Sequence, residues 1–176
     1  MRLENATREE LAELVDPEFV LSMGSKYGIS SLELDDRQGP ARPDYARISH
    51  GLCGGLYLSL NPRTDRKAAA KELSKRTGLR IRPEEVFYYA IFHECGHTPA
   101  VAGDFSVMHL QARIFFLHQI YPPTGKLMTE EQIRRDRIEA DKRADQWAKS
   151  EFKKWRRARK RLAEAEKPET VSLLMR

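Results

Sequence analysis

The sequence predicts a compact α+β domain, on three observations. The chain has 176 residues, 40% of them hydrophobic and 32% charged, which is enough apolar material for one core and too much for a disordered chain. Short alternating apolar stretches cluster between residues 29 and 61. From residue 65 onward, Gly and Pro punctuate longer segments with helical spacing. No apolar run approaches the roughly 20 residues of a membrane span, and the N-terminus has no apolar signal core. Two cysteines, Cys53 and Cys95, cannot make a disulfide framework of the secreted kind, so the expected compartment is the cytoplasm. The net charge of +5 is compatible with an acidic partner without identifying one.

Residues 7–27 read as helical. Thr7 and Glu10 have capping-box spacing, Leu11, Leu14 and Val15 recur at helical intervals, and Asp16-Pro17-Glu18 restarts the helix until Gly28 stops it. Ile29–Leu34 and Tyr45–His50 are candidate strands, separated by a loop rich in Gly and Pro. The clearest strand is Leu56-Tyr57-Leu58-Ser59-Leu60, between Gly54-Gly55 and Asn61-Pro62. Residues 65–76 form a basic amphipathic helix that ends near Gly78. Arg82-Pro83-Glu84-Glu85 opens the next helix, with acids in its first turn, and that helix runs to His97 before Thr98-Pro99 disfavours more. Residues 104–121 are helical and apolar, Pro122–Gly125 breaks them, and Thr129 with Gln132 caps a final helix to about residue 166.

His93-Glu94-Cys95-Gly96-His97 fits the pattern H-E-x-x-H inside a predicted helix. Residues four apart share a helical face, so both imidazoles can reach one ion. Glu94 is turned about 100° away, beside the ion, where it can take a proton from a water that the metal acidifies. Zinc suits two histidines and a carboxylate, and it needs a third protein ligand. Asp141 borders the face of the final helix made by Ala140, Ala144, Trp147 and Ala148, whose alanines admit a second helix. Asp145 lies one turn further and Glu139 points nearly the opposite way. Asp141, Glu139, His109 and His118 are the candidates, and His109 is alternatively an electrophile beside the metal. Cys95 reads as a packed core residue ahead of a redox-sensitive thiol.

These residues resemble the gluzincin-like branch of zinc metallopeptidases, the zincins of ImmA/IrrE type. In that family a later helix carries an acidic ligand, then Ala-Asn/Asp, an aromatic and Ala. Here the counterpart is Asp141-Lys142-Arg143-Ala144-Asp145-Gln146-Trp147-Ala148. The resemblance implies a zincin-like fold over residues 45–150, with Asp141 as third ligand and Asp145 as the carboxylate orienting a ligand histidine. It also implies that Leu56–Leu60 is an edge strand, with Leu56, Tyr57 and Leu58 binding an extended peptide by strand addition. Two departures stand out: Asp replaces the usual Glu ligand, and an extra apolar segment lengthens the interval from His97 to Asp141. On this reading, residues 1–44 are an N-terminal helical segment and loop, and 151–176 a basic helix extension and tail.

The expected function is zinc-dependent cleavage of a specific intracellular protein, with His93, His97 and Asp141 holding zinc and Glu94 moving the proton. A metal-dependent hydrolase acting on another bond is a weaker reading of the same motif. The alternative is a binding module with a structural or inactive metal site. Its partner would be nucleic acid or a protein, met by the basic run at residues 153–161. A solvated helix end is the plainer reading of that run. No membrane partner is expected.

Overall fold

The computed structural model describes residues 1–35, 45–50, 55–103 and 130–166. The expected helix over 104–121, with His109 and His118, lies outside the described residues, as do Thr129 and the tail from 167. The architecture is mixed α+β, with a four-stranded mixed sheet and a long C-terminal helix.

The strands are β1 (Arg2–Glu4), β2 (Ile29–Leu34), β3 (Ala46–His50) and β4 (Leu56–Leu60). Helices α1 (Arg8–Ala12) and α2 (Pro17–Tyr27) connect the first two strands. The expected Thr7–Glu10 capping box is present, Pro17 opens α2, and Gly28 closes it at φ 72°. The sheet order is β1-β2-β4-β3, with β1–β2 and β2–β4 parallel and β3–β4 antiparallel. Leu3, Leu32, Leu58 and Ile48 line up as one apolar row across all four strands. Strand β1 is absent from the expectations above, because three residues with a single Leu carry no readable alternation.

The edge-strand expectation for Leu56–Leu60 needs correction. Strand β4 is hydrogen-bonded to β2 on one side and β3 on the other, so it offers no backbone edge to a peptide. The side chains of Leu56 and Leu58 are buried in the core, so they do not face a ligand. The edge on this side of the sheet is β3, and no described strand pairs with its outer side. Its parity follows from Asn61 N, which donates to Tyr45 O at 3.1 Å. In an antiparallel ladder hydrogen-bonded positions alternate, so Arg47 and Ser49 direct their backbone groups at β4, and Ala46, Ile48 and His50 direct theirs outward.

Helix α3 (Arg66–Thr77) is capped by Asp65 and closed by Gly78 at φ 70°. A 3₁₀ turn (Pro83–Glu85) leads into α4 (Val86–Cys95). Val86 to Phe92 are all buried, as a helix apolar on every side must be. Pro99 does not simply end the helical region: α4 stops at Cys95, and Pro99 opens the short α5 (Pro99–Ala102) at the first-turn position that proline favours. The last helix is α6 (Glu130–Ala165). Residues before 45 and those after it share one sheet and one core, from Leu11 to Phe152.

Helices α4 and α6 run antiparallel. Glu85 meets Arg156, Tyr89 meets Phe152, His93 meets Asp145 and Gly96 meets Ala144. Glu85 is 2% exposed and holds two guanidiniums, Arg156 and Arg82. Arg156 also donates to Arg80 O and covers the Phe152 ring. Burial alone would raise the Glu85 pKa, but the hydrogen bonds from Arg156 and Arg82 hold it down at about 2.

That shift makes a pH prediction. A depressed carboxylate contributes stability that is present above its unfolded pKa and is lost as pH falls through its folded one. Wild-type denaturant stability should therefore drop between about pH 5 and 2 by about 3 kcal/mol more than that of Glu85→Gln. Parallel urea titrations of both proteins across that range check it, and superimposable slopes would remove the buried pair as the cause. At neutral pH, Arg156→Ala should cost about 3–5 kcal/mol, because it strips a buried charge of its main partner.

Candidate metal centre

The site is built where the C-terminal turn of α4 meets the inner face of α6. Helix α4 is expected to include His97 but ends at Cys95, and the chain continues in tighter turns. His97 N donates to Glu94 O at 3.0 Å and Thr98 N to Cys95 O at 3.1 Å, both three residues back. The tightening keeps the two imidazoles together, with His93 Nε2 and His97 Nε2 3.2 Å apart. Both side chains are largely buried, at 14% and 13% exposure.

Across from them, Asp141 Oδ1 lies 3.4 Å from His97 Nε2. Ligand atoms of His93, His97 and Asp141 all fall within 4.8 Å of one another. Bonds of about 2.0–2.1 Å in a tetrahedral site put ligand atoms about 3.4 Å apart. Two of the separations here already have that length. Asp141 is 67% exposed, so the carboxylate reaches the imidazoles from the solvent side. Glu139 is turned away and paired with Arg143 Nε at 2.9 Å, which takes it out of the ligand set.

Asp145 stands behind His93. Its Oδ1 is 2.9 Å from His93 Nδ1, which leaves Nε2 facing His97 and Asp141. The same oxygen accepts from Arg76 at 3.2 Å and from the Tyr89 hydroxyl at 3.3 Å. Neither Arg76 nor Tyr89 stands out in the sequence. Arg76 looks like one more cation of a basic helix, and Tyr89 like one more aromatic of a buried one.

The charges follow from these contacts. Burial would lower the His93 pKa, but the Asp145 hydrogen bond and the charges of Glu94 and Asp145 raise it. Burial, helped by neighbouring His93, takes His97 down to about 4, so its ring is neutral at pH 7. Burial raises Asp141. It would do the same to Asp145, but His93, then Arg76 and Tyr89, bring that pKa below the ordinary value. Cys95 is fully buried, and burial pushes its thiol far up, so it packs and does not react at neutral pH.

Glu94 Oε2 accepts the Ile48 amide of β3 at 2.8 Å. The carboxylate next to the imidazole pair is therefore aimed at the outward side of the edge strand. Leu56, Tyr57 and Leu58 belong to the next strand inward and take no part in this arrangement.

No protein-family model matches the chain, and searches of curated proteins and of solved structures return no match.

Close helix approach is what lets the short Asp141 side chain reach. A Cβ on Gly96 would fall 2.7 Å from Ala144 Cα and 2.9 Å from Ala144 Cβ, closer than packed atoms allow. Gly96→Ala should push α6 outward and weaken zinc affinity by at least about tenfold with helix content retained. Chelator competition with circular dichroism measures both, and unchanged affinity would show that Asp141 does not depend on this contact. Asp145→Asn should cost about 10–100-fold in zinc affinity by the same assay.

Proposed function

We propose that the chain is a zinc-dependent metallopeptidase of zincin type, acting on a specific intracellular protein. The observation that carries this reading is the convergence of His93, His97 and Asp141 atoms within 4.8 Å, beside a carboxylate aimed at a strand edge. Two imidazole nitrogens and one carboxylate are a donor set that fits zinc with a coordination position to spare. When bound, the metal supplies Lewis-acid polarisation of a carbonyl and acidifies water. The mixed sheet with an antiparallel edge strand, the H-E-x-x-H helix against it and the acidic second helix support the likeness to the ImmA/IrrE type.

The chain's own residues divide the work. Asp145 holds the His93 ring by Nδ1 and sets its tautomer. Glu94 takes the proton from the attacking water and passes it to the leaving amine. The outward backbone groups of Ala46 and His50, with the Ile48 carbonyl, hold an extended substrate by main-chain hydrogen bonds, which brings its scissile bond past Glu94, the acceptor of the Ile48 amide. This gives β3 the substrate-holding role that the resemblance implied for β4.

The test is Glu94→Gln beside wild type, with zinc content, cleavage of casein and cleavage of a proteome-derived peptide pool measured together. The variant should keep about one zinc per chain and lose cleavage by roughly 10²–10⁴-fold. Cleavage undiminished in Glu94→Gln would sink the reading. So would a zinc-loaded wild type that cuts nothing in the pool.

A further inference from the structure

The basic run of α6 is not a uniform cationic surface. Between residues 142 and 161 ten Lys and Arg residues face only Asp145 and Glu151 as acids. Contacts to the body remove two of these cations. Arg156 clamps Glu85, and Arg159 lies over the rings of Tyr88 at 5.6 Å and Trp155 at 5.1 Å. Asp145 is engaged with His93, and Glu151 is paired with Lys154 at 2.6 Å.

The remaining cations have an order. At about 100° per residue, Lys142, Lys149, Lys153, Arg157 and Lys160 fall within one narrow stripe. That stripe lies opposite the packed face of Ala140, Ala144, Ala148 and Phe152. Lys142, Lys153, Arg157 and Lys160 are exposed and Lys149 is half-buried. Arg143 and Arg161 flank the stripe. Its own acids are Glu139, paired with Arg143, and Glu164, 3.7 Å from Lys160. An exposed pair of that kind is worth about 1 kcal/mol or less and yields to a stronger anion. From Lys142 to Lys160 the stripe is about 27 Å long, the length of about eight duplex steps at 3.4 Å each.

We infer that this outer stripe of α6 binds the phosphate backbone of double-stranded nucleic acid. Three features favour this partner. The stripe carries no aromatic side chain, so it has no platform on which single-stranded bases would stack, and Trp155 is stacked against Phe152 and Tyr88. It lacks the apolar row that an interfacial membrane helix needs, since the apolar face of α6 is spent on the core. It also lacks the aromatic or aliphatic anchors that centre a protein interface. What remains is a straight row of cations, which phosphates match. Lys153, Arg157 and Lys160, the part of the stripe varied below, lie eight or more residues beyond Asp145 along α6, so this inference stands or falls separately from the peptidase reading.

The test uses the full chain and a mixed-sequence 20-base-pair DNA duplex, followed by fluorescence anisotropy from about 50 to 200 mM salt. With four to five contacts, log affinity should fall against log salt with a slope of about −4. The triple variant Lys153→Gln, Arg157→Gln, Lys160→Gln should flatten the slope by about three and lower affinity at 50 mM salt at least about tenfold. A second triple variant, Lys67→Gln, Lys71→Gln, Lys75→Gln, removes the same charge from α3 and should bind almost as wild type. Equal losses in the two variants would reduce the effect to net charge and overturn the proposal. No binding at 50 mM salt would also overturn it. So would polyglutamate or phosphatidylserine vesicles competing as well as duplex at equal charge.

Discussion

The antiparallel register of α4 against α6 is the constraint on which the rest of the molecule depends. It is fixed at two ends. At one, Gly96 admits the backbone of Ala144; at the other, the buried Glu85 carboxylate is held by Arg156. Between these points the spans nearly match, at about 16 Å along α4 and about 18 Å along α6. Tyr89 meets Phe152 and His93 meets Asp145 because the two ends allow no slip. A one-residue slip would move each carboxylate of α6 by about 1.5 Å and turn it by about 100°, away from its imidazole. An apolar seam alone is tolerant of such slips. The ion pair is not, since a displaced Arg156 would leave a buried charge without its main partner.

Close approach also explains how a side chain as short as that of Asp141 comes to the imidazole pair. Its reach has to be made up by a short distance between the helices. Gly96 and the row Ala140, Ala144, Ala148 provide it, because none of them holds the backbones apart. Asp145 gains from the same closeness. One of its oxygens gathers His93, Arg76 and Tyr89, so donors from α3 and α4 meet on a single atom of α6. The orientation of a candidate ligand imidazole is thereby tied to three helices.

Much of this was legible in the sequence, for identifiable reasons. Local signals read well: the Thr7–Glu10 box, Pro17, Gly28 and Gly78 each act within one turn, and each stands where expected. The spacing of His93 and His97 and the position of Asp141 at the border of the alanine face also carried over to three dimensions. Asp145 came from a resemblance, and the geometry puts it against His93. What depended on long-range pairing did not read. Leu56–Leu60 looks like any alternating strand, and only the pairing of β2 and β3 on its two sides makes it internal. Arg156 looked like one cation in a basic run, because its partner Glu85 is 71 residues away. Arg76 and Tyr89 were hidden in the same way, since nothing local distinguishes a side chain that ends on Asp145.

The sheet completes the site through one backbone group. Strand parity turns the Ile48 amide outward, and an outward amide at an edge needs an acceptor. Glu94 is that acceptor, at 2.8 Å. This contact orients a carboxylate that would otherwise choose among many rotamers in water. It also aims the carboxylate at the strand edge, while the neighbouring His93 ring faces His97. The placement follows from two facts set far apart in the chain: β3 is the antiparallel strand at the edge, and α4 lies against it with Glu94 in its last turn. Had β4 been the edge, as the resemblance implied, Glu94 would have faced an amide already used by the ladder. The pairing order of the sheet therefore decides whether the H-E-x-x-H carboxylate faces an open strand edge or a paired one.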